Sequence, residues 1–300
     1  MADLCLGTAQ LGMHYGINNK VGKLQKSEVF KILDTAISAG IQMIDTASIY
    51  GEAEELLGNY LVEHKKDCKN VKIITKQCNS IEGKSFAQVD KEIRCELEES
   101  LRRLKRDAVD GYLLHLYREV DNANTLTALQ KLKEEGIVKN IGVSVYDVDE
   151  VEIALQSGDI DYLQMPCSIF DQRGLNSGVF EKAQKAGVTV FTRSAFLQGL
   201  LMMDVNDVPN HLQGIVPYLQ TFEKLLEEYE LDRKHAIIKF ILEKECIDYM
   251  VFGVETEEQL RDIIREKNSD SVPKEFMKQL HECFGKISER LILPIHWKKE

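Results

Sequence analysis

Ile41-Gln-Met-Ile-Asp-Thr-Ala-Ser-Ile-Tyr-Gly51 decides how this chain is read. Ile41 to Ile44 is a short apolar run that reads as a buried strand. The run ends in Asp45, and Tyr50 and Gly51 lie five and six residues further on. A carboxylate at a strand tip and a phenol in the next loop are the components of a proton-transfer pair.

The same unit recurs along the chain. Strands are expected at 4–8, 41–45, 71–75, 111–115, 137–143, 162–165, 188–192 and 249–252. Helical patterns separate them. In the first, Val29, Ile32, Leu33, Ala36 and Ile37 recur at helical spacing, with Ser27 as the expected cap and Gly40 as the stop. Later ones fall at about 53–64, 86–105, 126–132, 147–157, 175–186, 232–245 and 256–266. Two extra helices, at about 217–230 and 273–290, stand outside the alternation. The strands are mostly apolar rather than alternating, as parallel strands covered on both faces are. Eight strand–helix units close most naturally into a (β/α)8, or TIM, barrel. An open dinucleotide-binding sheet normally carries GxGxxG after its first strand, and none is present. With no linker-like segment, residues 1–300 read as a single barrel domain.

Composition narrows the function. The 300 residues are 44% hydrophobic, enough for one large core, and the net charge is −11. That charge disfavours nucleic acid and anionic membranes as partners, and the basic runs, such as Lys298-Lys299, are short. Seven scattered cysteines without a CxxC spacing point to a reducing compartment, not to a disulfide or zinc framework. No signal-peptide pattern and no apolar run near the ~20 residues of a membrane span are visible. The expected location is the cytoplasm. Oligomeric state leaves no trace in the sequence.

In a barrel of this type the active site lies at the C-terminal ends of the strands. There the sequence places Asp45, Lys76, His115, Ser144, Gln164, Arg193 and Gly253. Each alone has an ordinary structural reading: a helix cap, a solvated lysine, a satisfied histidine. Asp45, Lys76 and His115 on three successive strands, with Tyr50 beside them, suit reduction of a carbonyl group. Hydride addition to carbon needs an acid for the oxygen, and a tyrosine has an ordinary pKa of about 10. Lowering it by two to three units requires roughly 3–4 kcal/mol. One ammonium at ~4 Å supplies about 4 kcal/mol at an effective dielectric of ~20. Tyr50 is thus the expected acid, Lys76 its tuner, Asp45 the support of Lys76, and His115 the group that orients the carbonyl.

Leu6-Gly-Thr-Ala-Gln-Leu-Gly12, Ile44-Asp-Thr-Ala-Ser-Ile-Tyr-Gly51, Ile74-Thr-Lys76, Leu113-Leu-His115, Gly142-Val-Ser144 and Arg193-Ser194 with Gln198-Gly199 together resemble the aldo-keto reductase family. The resemblance covers nearly the whole chain. It implies a (β/α)8 barrel that reduces aldehydes, ketones or sugars with NADP(H), less often NAD(H), and a catalytic tetrad of Asp45, Tyr50, Lys76 and His115. It further implies nicotinamide-amide contacts at Ser144 and Gln164, and a pyrophosphate segment through Ser194, Phe196, Gln198 and Gly199. An adenosine-phosphate segment is implied after the eighth strand, including Gly253 and Gln259. Val145 replaces a common asparagine, and Arg193 stands where an aromatic commonly stacks on the nicotinamide. Glu255, Glu257 and Glu258 surround the adenosine-phosphate positions, which brings NAD(H) into contention unless Arg261 or Arg265 compensates. The family's N-terminal hairpin has no counterpart before the first strand.

The leading expectation is therefore a carbonyl reductase acting on a small molecule. The alternative is a catalytically weak nicotinamide-binding regulatory subunit, similar to potassium-channel β-subunits. A third reading uses Lys76 as a Schiff-base amine. Tyr15 and His14 are candidates to face substrate, Trp297 to line the cleft, and Asp171 with Arg173 to form a structural ion pair. The short loop from Leu116 to Ala123 suggests an open cleft for polar or bulky carbonyls.

Overall fold

Eight parallel strands close on themselves in chain order, and the last pairs with the first through Asp3↔Tyr249 to Leu6↔Phe252. The computed structural model describes residues 1–115 and 123–297. The loop proposed to leave an open cleft, and Lys298-Lys299, lie outside the described residues.

The elements are β1 (Asp3–Gly7), α1 (Ala9–Gly12), α2 (Lys26–Ser38), β2 (Met43–Asp45), α3 (Ala53–Glu63), β3 (Lys72–Gln77), α4 (Phe86–Leu104), β4 (Gly111–Leu114) and α5 (Ala123–Glu134). The chain continues with β5 (Ile141–Ser144), α6 (Val148–Ser157), β6 (Tyr162–Pro166), α7 (Arg173–Asn176), α8 (Val179–Lys185) and β7 (Thr189–Arg193). Then come α9 (Val216–Glu228), α10 (Arg233–Leu242), β8 (Tyr249–Phe252), α11 (Glu257–Lys267), α12 (Lys274–Phe284) and α13 (Glu289–Ile292). This is the expected (β/α)8 barrel, and α9 and α12 are its two extra helices.

Local chemistry explains the departures from the expected boundaries. Gln25, not Ser27, precedes α2, because Gln25 and Glu28 form a reciprocal capping box. The helix expected over 175–186 is two pieces, since Gly178 takes a left-handed φ of 73° between α7 and α8. The long segment before α9 contains three 3-10 turns, over Leu197–Met202, Val205–Asp207 and Asn210–Ile215. Lys76 lies within β3 rather than after it.

Two hydrophobic clusters make the core. The larger one fills the space between the strands and the helical shell. The smaller one plugs the barrel itself with Cys5, Met43, Ile74, Leu113, Tyr162, Phe191 and Val251. Side chains of a strand alternate faces, so the residue two positions on points inward as well. Adding two to each of these positions gives Gly7, Asp45, Lys76, His115, Gln164, Arg193 and Gly253. The polar layer is thus the next inward layer above an apolar plug, at the C-terminal rim. None of the helices among the described residues is long and apolar enough to cross a membrane.

Candidate active site

Lys76 is the centre of the polar layer and is fully buried. Its Nζ donates to Asp45 Oδ2 at 2.7 Å, to Asp45 Oδ1 at 2.8 Å and to the Thr46 carbonyl at 3.0 Å. Three acceptors match the three protons of an ammonium. Burial pulls the Lys76 pKa down, but Asp45 and Tyr50 more than offset it, so the net shift is upward. The register brings the pair together: Asp45 faces Ile74 across β2 and β3, and Thr46 continues that pairing through its N–H to the Ile74 carbonyl.

The chain of hydrogen bonds extends sideways. Gln164 Nε2 donates to Asp45 Oδ1 at 2.8 Å, and Ser144 Oγ donates to Gln164 Oε1 at 3.3 Å. The neighbouring registers Ser144↔Gln164 and Gln164↔Phe191 set these side chains at matched height. Asp45, Lys76, Gln164 and Ser144 therefore form one buried network across four strands.

Tyr50 and His115 complete the cluster. The Tyr50 ring centroid lies 5.2 Å from Lys76 Nζ and 6.3 Å from the His115 ring, with the two rings perpendicular. The turn that carries Tyr50 is pressed against the loop after β1. A Cβ on Gly12 would fall 2.0 Å from the Tyr50 carbonyl oxygen and 2.4 Å from Ala53 N, so that contact requires glycine. His115 follows β4 directly, its N–H bonded to the Gln77 carbonyl at 2.9 Å. Burial, then Lys76 and Arg193, lower the His115 pKa to about 3. The imidazole is neutral at ordinary pH, and one ring nitrogen is available as a donor.

The tuning expected for Tyr50 is reversed. Burial raises its pKa, Lys76 lowers it, Asp45 raises it, and the net shift is upward. Charge alone suggested a lowered phenol. In the fold, Asp45 keeps Lys76 charged and at the same time cancels part of its pull on Tyr50.

The remaining expected residues separate into groups. Arg193 ends β7, but its guanidinium carbon lies 4.2 Å from the Tyr146 ring centroid and its Nη2 donates to the Val145 carbonyl at 3.0 Å. One face of that guanidinium is therefore already covered by a tyrosine. Ser194 and Gln198 adopt left-handed φ values of 65° and 54°, with Gly199 at 93°. Gln198 Nε2 donates to the Tyr15 hydroxyl at 3.2 Å, and the Gln198 carbonyl accepts from Ile17 N at 3.1 Å. The loop after β7, which also carries Phe196, thereby clasps the loop after β1. Gly253 packs on the Gln10 side chain, and Gln259 Oε1 caps the Glu255 N–H at 2.8 Å. Gly253 and Gln259 belong to the segment after β8, outside the buried network.

Tyr15, a candidate to face substrate, is held inward, where burial raises its pKa and Arg193, the strongest of the nearby charges, lowers it. Cys78 Sγ lies 3.2 Å from His115 Nδ1. The buried glutamates next to the site escaped the sequence reading. Glu54, 1% exposed, accepts from Thr75 Oγ1 at 2.6 Å and from Arg103 Nε at 2.7 Å, which ties β3 to α3 and α4. Both Glu54 and Glu96 sit on the buried stripes of their helices, a signal visible as charges spaced three residues from Leu57 and Ile93. By contrast His14 is exposed and contacts Asn19. Arg173 pairs with buried Asp171 at 2.8 Å, the structural role expected of them. Trp297 donates to the Leu291 carbonyl at 3.2 Å and packs on the outer core. Among the described residues no group of histidine, cysteine and carboxylates is arranged to hold a metal.

Comparison with known proteins agrees with this geometry. The Aldo/keto reductase family matches residues 3–284. The uncharacterized oxidoreductase YqkF of Bacillus subtilis (strain 168) is 27% identical over 293 residues, covering 92% of this chain and 94% of the relative. The NADH-specific methylglyoxal reductase of Escherichia coli (strain K12) is 26% identical over 273 residues, covering 79% and 82%. Among solved structures, the holo form of aldo-keto reductase AKR11C1 from Bacillus halodurans superposes with a TM-score of 0.74 at 22% identity, over 96% of this chain and 94% of that one. A match over nearly the whole chain, on a barrel with this polar rim, establishes that the chain belongs to the aldo/keto reductase family and is an oxidoreductase enzyme.

Proposed function

We propose that the protein reduces the carbonyl group of an aldehyde, ketone or sugar with a reduced nicotinamide cofactor, using Tyr50 as the general acid. The observation that carries this reading is the buried Lys76–Asp45 ion pair, 2.7 Å apart, with Tyr50 and a neutral His115 beside it. The cofactor's contribution is a hydride to the carbonyl carbon. Everything else falls to the side chains. His115 donates a hydrogen bond to the carbonyl oxygen and fixes its position. The raised Tyr50 is fully protonated at neutral pH, so its proton is in place. As hydride adds, the oxygen becomes more basic than a phenolate and takes that proton. Lys76 then stabilises the phenolate left behind, and Asp45 keeps Lys76 charged and in line.

The residues suit the cofactor the family uses. A hydroxyl and an amide, Ser144 and Gln164, stand 3.3 Å apart at the strand ends, a donor–acceptor pair of the kind a carboxamide needs. Ser194, Phe196, Gln198 and Gly199 would hold the pyrophosphate, in keeping with phosphate sites in the last loops of such barrels. Gly253 and Gln259 would lie toward the adenosine.

The resemblance favours NADP(H); the charges after β8 favour NAD(H). Arg261 pairs with Glu257 at 2.5 Å, and Arg265 pairs with Asp262 at 2.9 Å and Glu266 at 3.0 Å. Glu255 and Glu258 add further negative charge. A 2′-phosphate would meet carboxylates there, with both nearby guanidiniums already engaged. The relative named as NADH-specific supports the same preference. Fluorescence titration of the purified protein with NADH and NADPH tests it. Tighter NADH binding is expected, and tighter NADPH binding would overturn the preference.

Two other readings lose support. The oxidoreductase relatives favour an enzyme over a regulatory subunit. An ammonium raised in pKa and bonded to three acceptors is a poor Schiff-base nucleophile.

A further inference from the structure

Glu96 carries a buried carboxylate that the chemistry above does not use. It lies on α4 among Ile93, Leu97 and Ser100 and is 8% exposed. Among the described residues no lysine or arginine forms an ion pair with it. Instead Oε1 accepts from Ser48 Oγ at 3.0 Å and from Cys78 N at 2.8 Å. Oε2 accepts from Asn79 N at 3.2 Å and from Gln77 Nε2 at 3.3 Å.

The four donors come from two segments that both lead to the polar rim. Ser48 stands two residues before Tyr50. Gln77, Cys78 and Asn79 directly follow Lys76. The Gln77 carbonyl accepts the His115 N–H, and the Cys78 thiol lies 3.2 Å from His115 Nδ1. One carboxylate on the outer shell is therefore joined to the stretches that carry Tyr50, Lys76 and His115.

A carboxylate is costly to bury without a cation. Nothing in α4 requires it, since an apolar residue would continue the helix's own buried stripe. Its partners are N–H and O–H groups at a strand exit and in a loop, where no ladder satisfies them. Filling both oxygens with such donors fixes two loops against each other and against one helix. Supporting shells of this kind hold reactive groups within about half an ångström of their working geometry.

We propose that Glu96 is a positioning residue for the reaction: it sets the placement of Tyr50, Lys76 and His115 relative to one another without touching substrate or cofactor. This inference rests on the reading of those three groups as the acid–base machinery.

Glu96→Gln tests it. The amide replaces one oxygen by an NH2 group, which confronts donors it cannot accept from. In the variant kcat is expected to fall by about 10- to 100-fold, by analogy with the loss of outer-shell partners at metal sites. The cofactor Kd, read by fluorescence, should stay within roughly twofold, since the loss is confined to groups acting in the transition state. The deuterium isotope effect with a 4-deuterated reduced cofactor should rise, because hydride transfer becomes more rate-limiting. A merely structural role would lower the folded fraction and leave that isotope effect unchanged. Ser48→Ala removes one donor and leaves both backbone contacts, so it serves if the first variant folds poorly; a smaller fall in kcat and a raised isotope effect are expected. A natively folded Glu96→Gln, or failing that Ser48→Ala, with unchanged kcat and isotope effect would overturn the proposal. Tyr50→Phe separates the two layers of argument. If it stays active, the acid–base reading fails; if it is dead while Glu96→Gln is unimpaired, the role of Glu96 alone fails.

Discussion

Replacing Lys76 by methionine should expose the energetics of the site most plainly. The lysine is fully buried and the Asp45 side chain is 4% exposed, so neither charge is shared with solvent. Methionine keeps the apolar stem but removes three hydrogen bonds, two of them to Asp45 at 2.7 and 2.8 Å. Among the described residues, the Asp45 carboxylate would then keep only Gln164 Nε2 at 2.8 Å. Breaking a buried pair on one side costs about 3–5 kcal/mol, mostly for the charge left uncompensated. Urea denaturation at neutral pH should show a loss of that order for Lys76→Met. Adding Asp45→Asn removes the stranded charge, so the double variant should recover about 1–3 kcal/mol relative to the sum of the single effects. Single effects that add to within about 0.5 kcal/mol would refute the argument.

Two further predictions concern neighbouring parts of the site. His115 has a folded pKa of about 3 against about 6.5 unfolded. Its contribution to stability is complete above pH ~6.5 and is lost as pH falls toward ~3, reaching about 2 kcal/mol by pH ~5. Wild-type protein should therefore lose more stability between pH ~7 and ~5 than His115→Gln, by urea midpoints; parallel losses would contradict the burial argument. Gly12→Ala drives a methyl group into the Tyr50 carbonyl and Ala53 N. It should cost about 1–3 kcal/mol of stability and lower kcat as the Tyr50 turn shifts; an unaltered melting temperature and kcat would show that the two loops yield freely.

The barrel was legible because its signals are local: apolar runs, helical spacing and glycine stops repeat along the chain. The clustering of Asp45, Lys76 and His115 was legible because a strand-end position is a sequence position. What the sequence leaves open is sidedness and compensation. Parallel strands are apolar on both faces, so alternation does not say which residue points inward. That appears only when the ring closes and the plug of Met43, Ile74 and Leu113 is seen below Asp45, Lys76 and His115. The direction of the Tyr50 shift was misread for a related reason. Pairwise charge favours a lowered phenol, whereas burial and the second charge of the Lys76–Asp45 pair depend on three-dimensional packing. Glu54 and Glu96 went unnoticed because a glutamate on a helix normally marks a solvated face. Their placement on apolar stripes carried the information, and their partners come from distant strands and loops.

The measurement that bears most directly on the mechanism is single-turnover hydride transfer to an aldehyde by Tyr50→Phe preloaded with reduced cofactor. Loss of the proton donor should slow the step by about 10²- to 10⁴-fold, while cofactor affinity and melting temperature stay those of the wild type. A variant that transfers hydride at close to the wild-type rate would show that the proton comes from elsewhere.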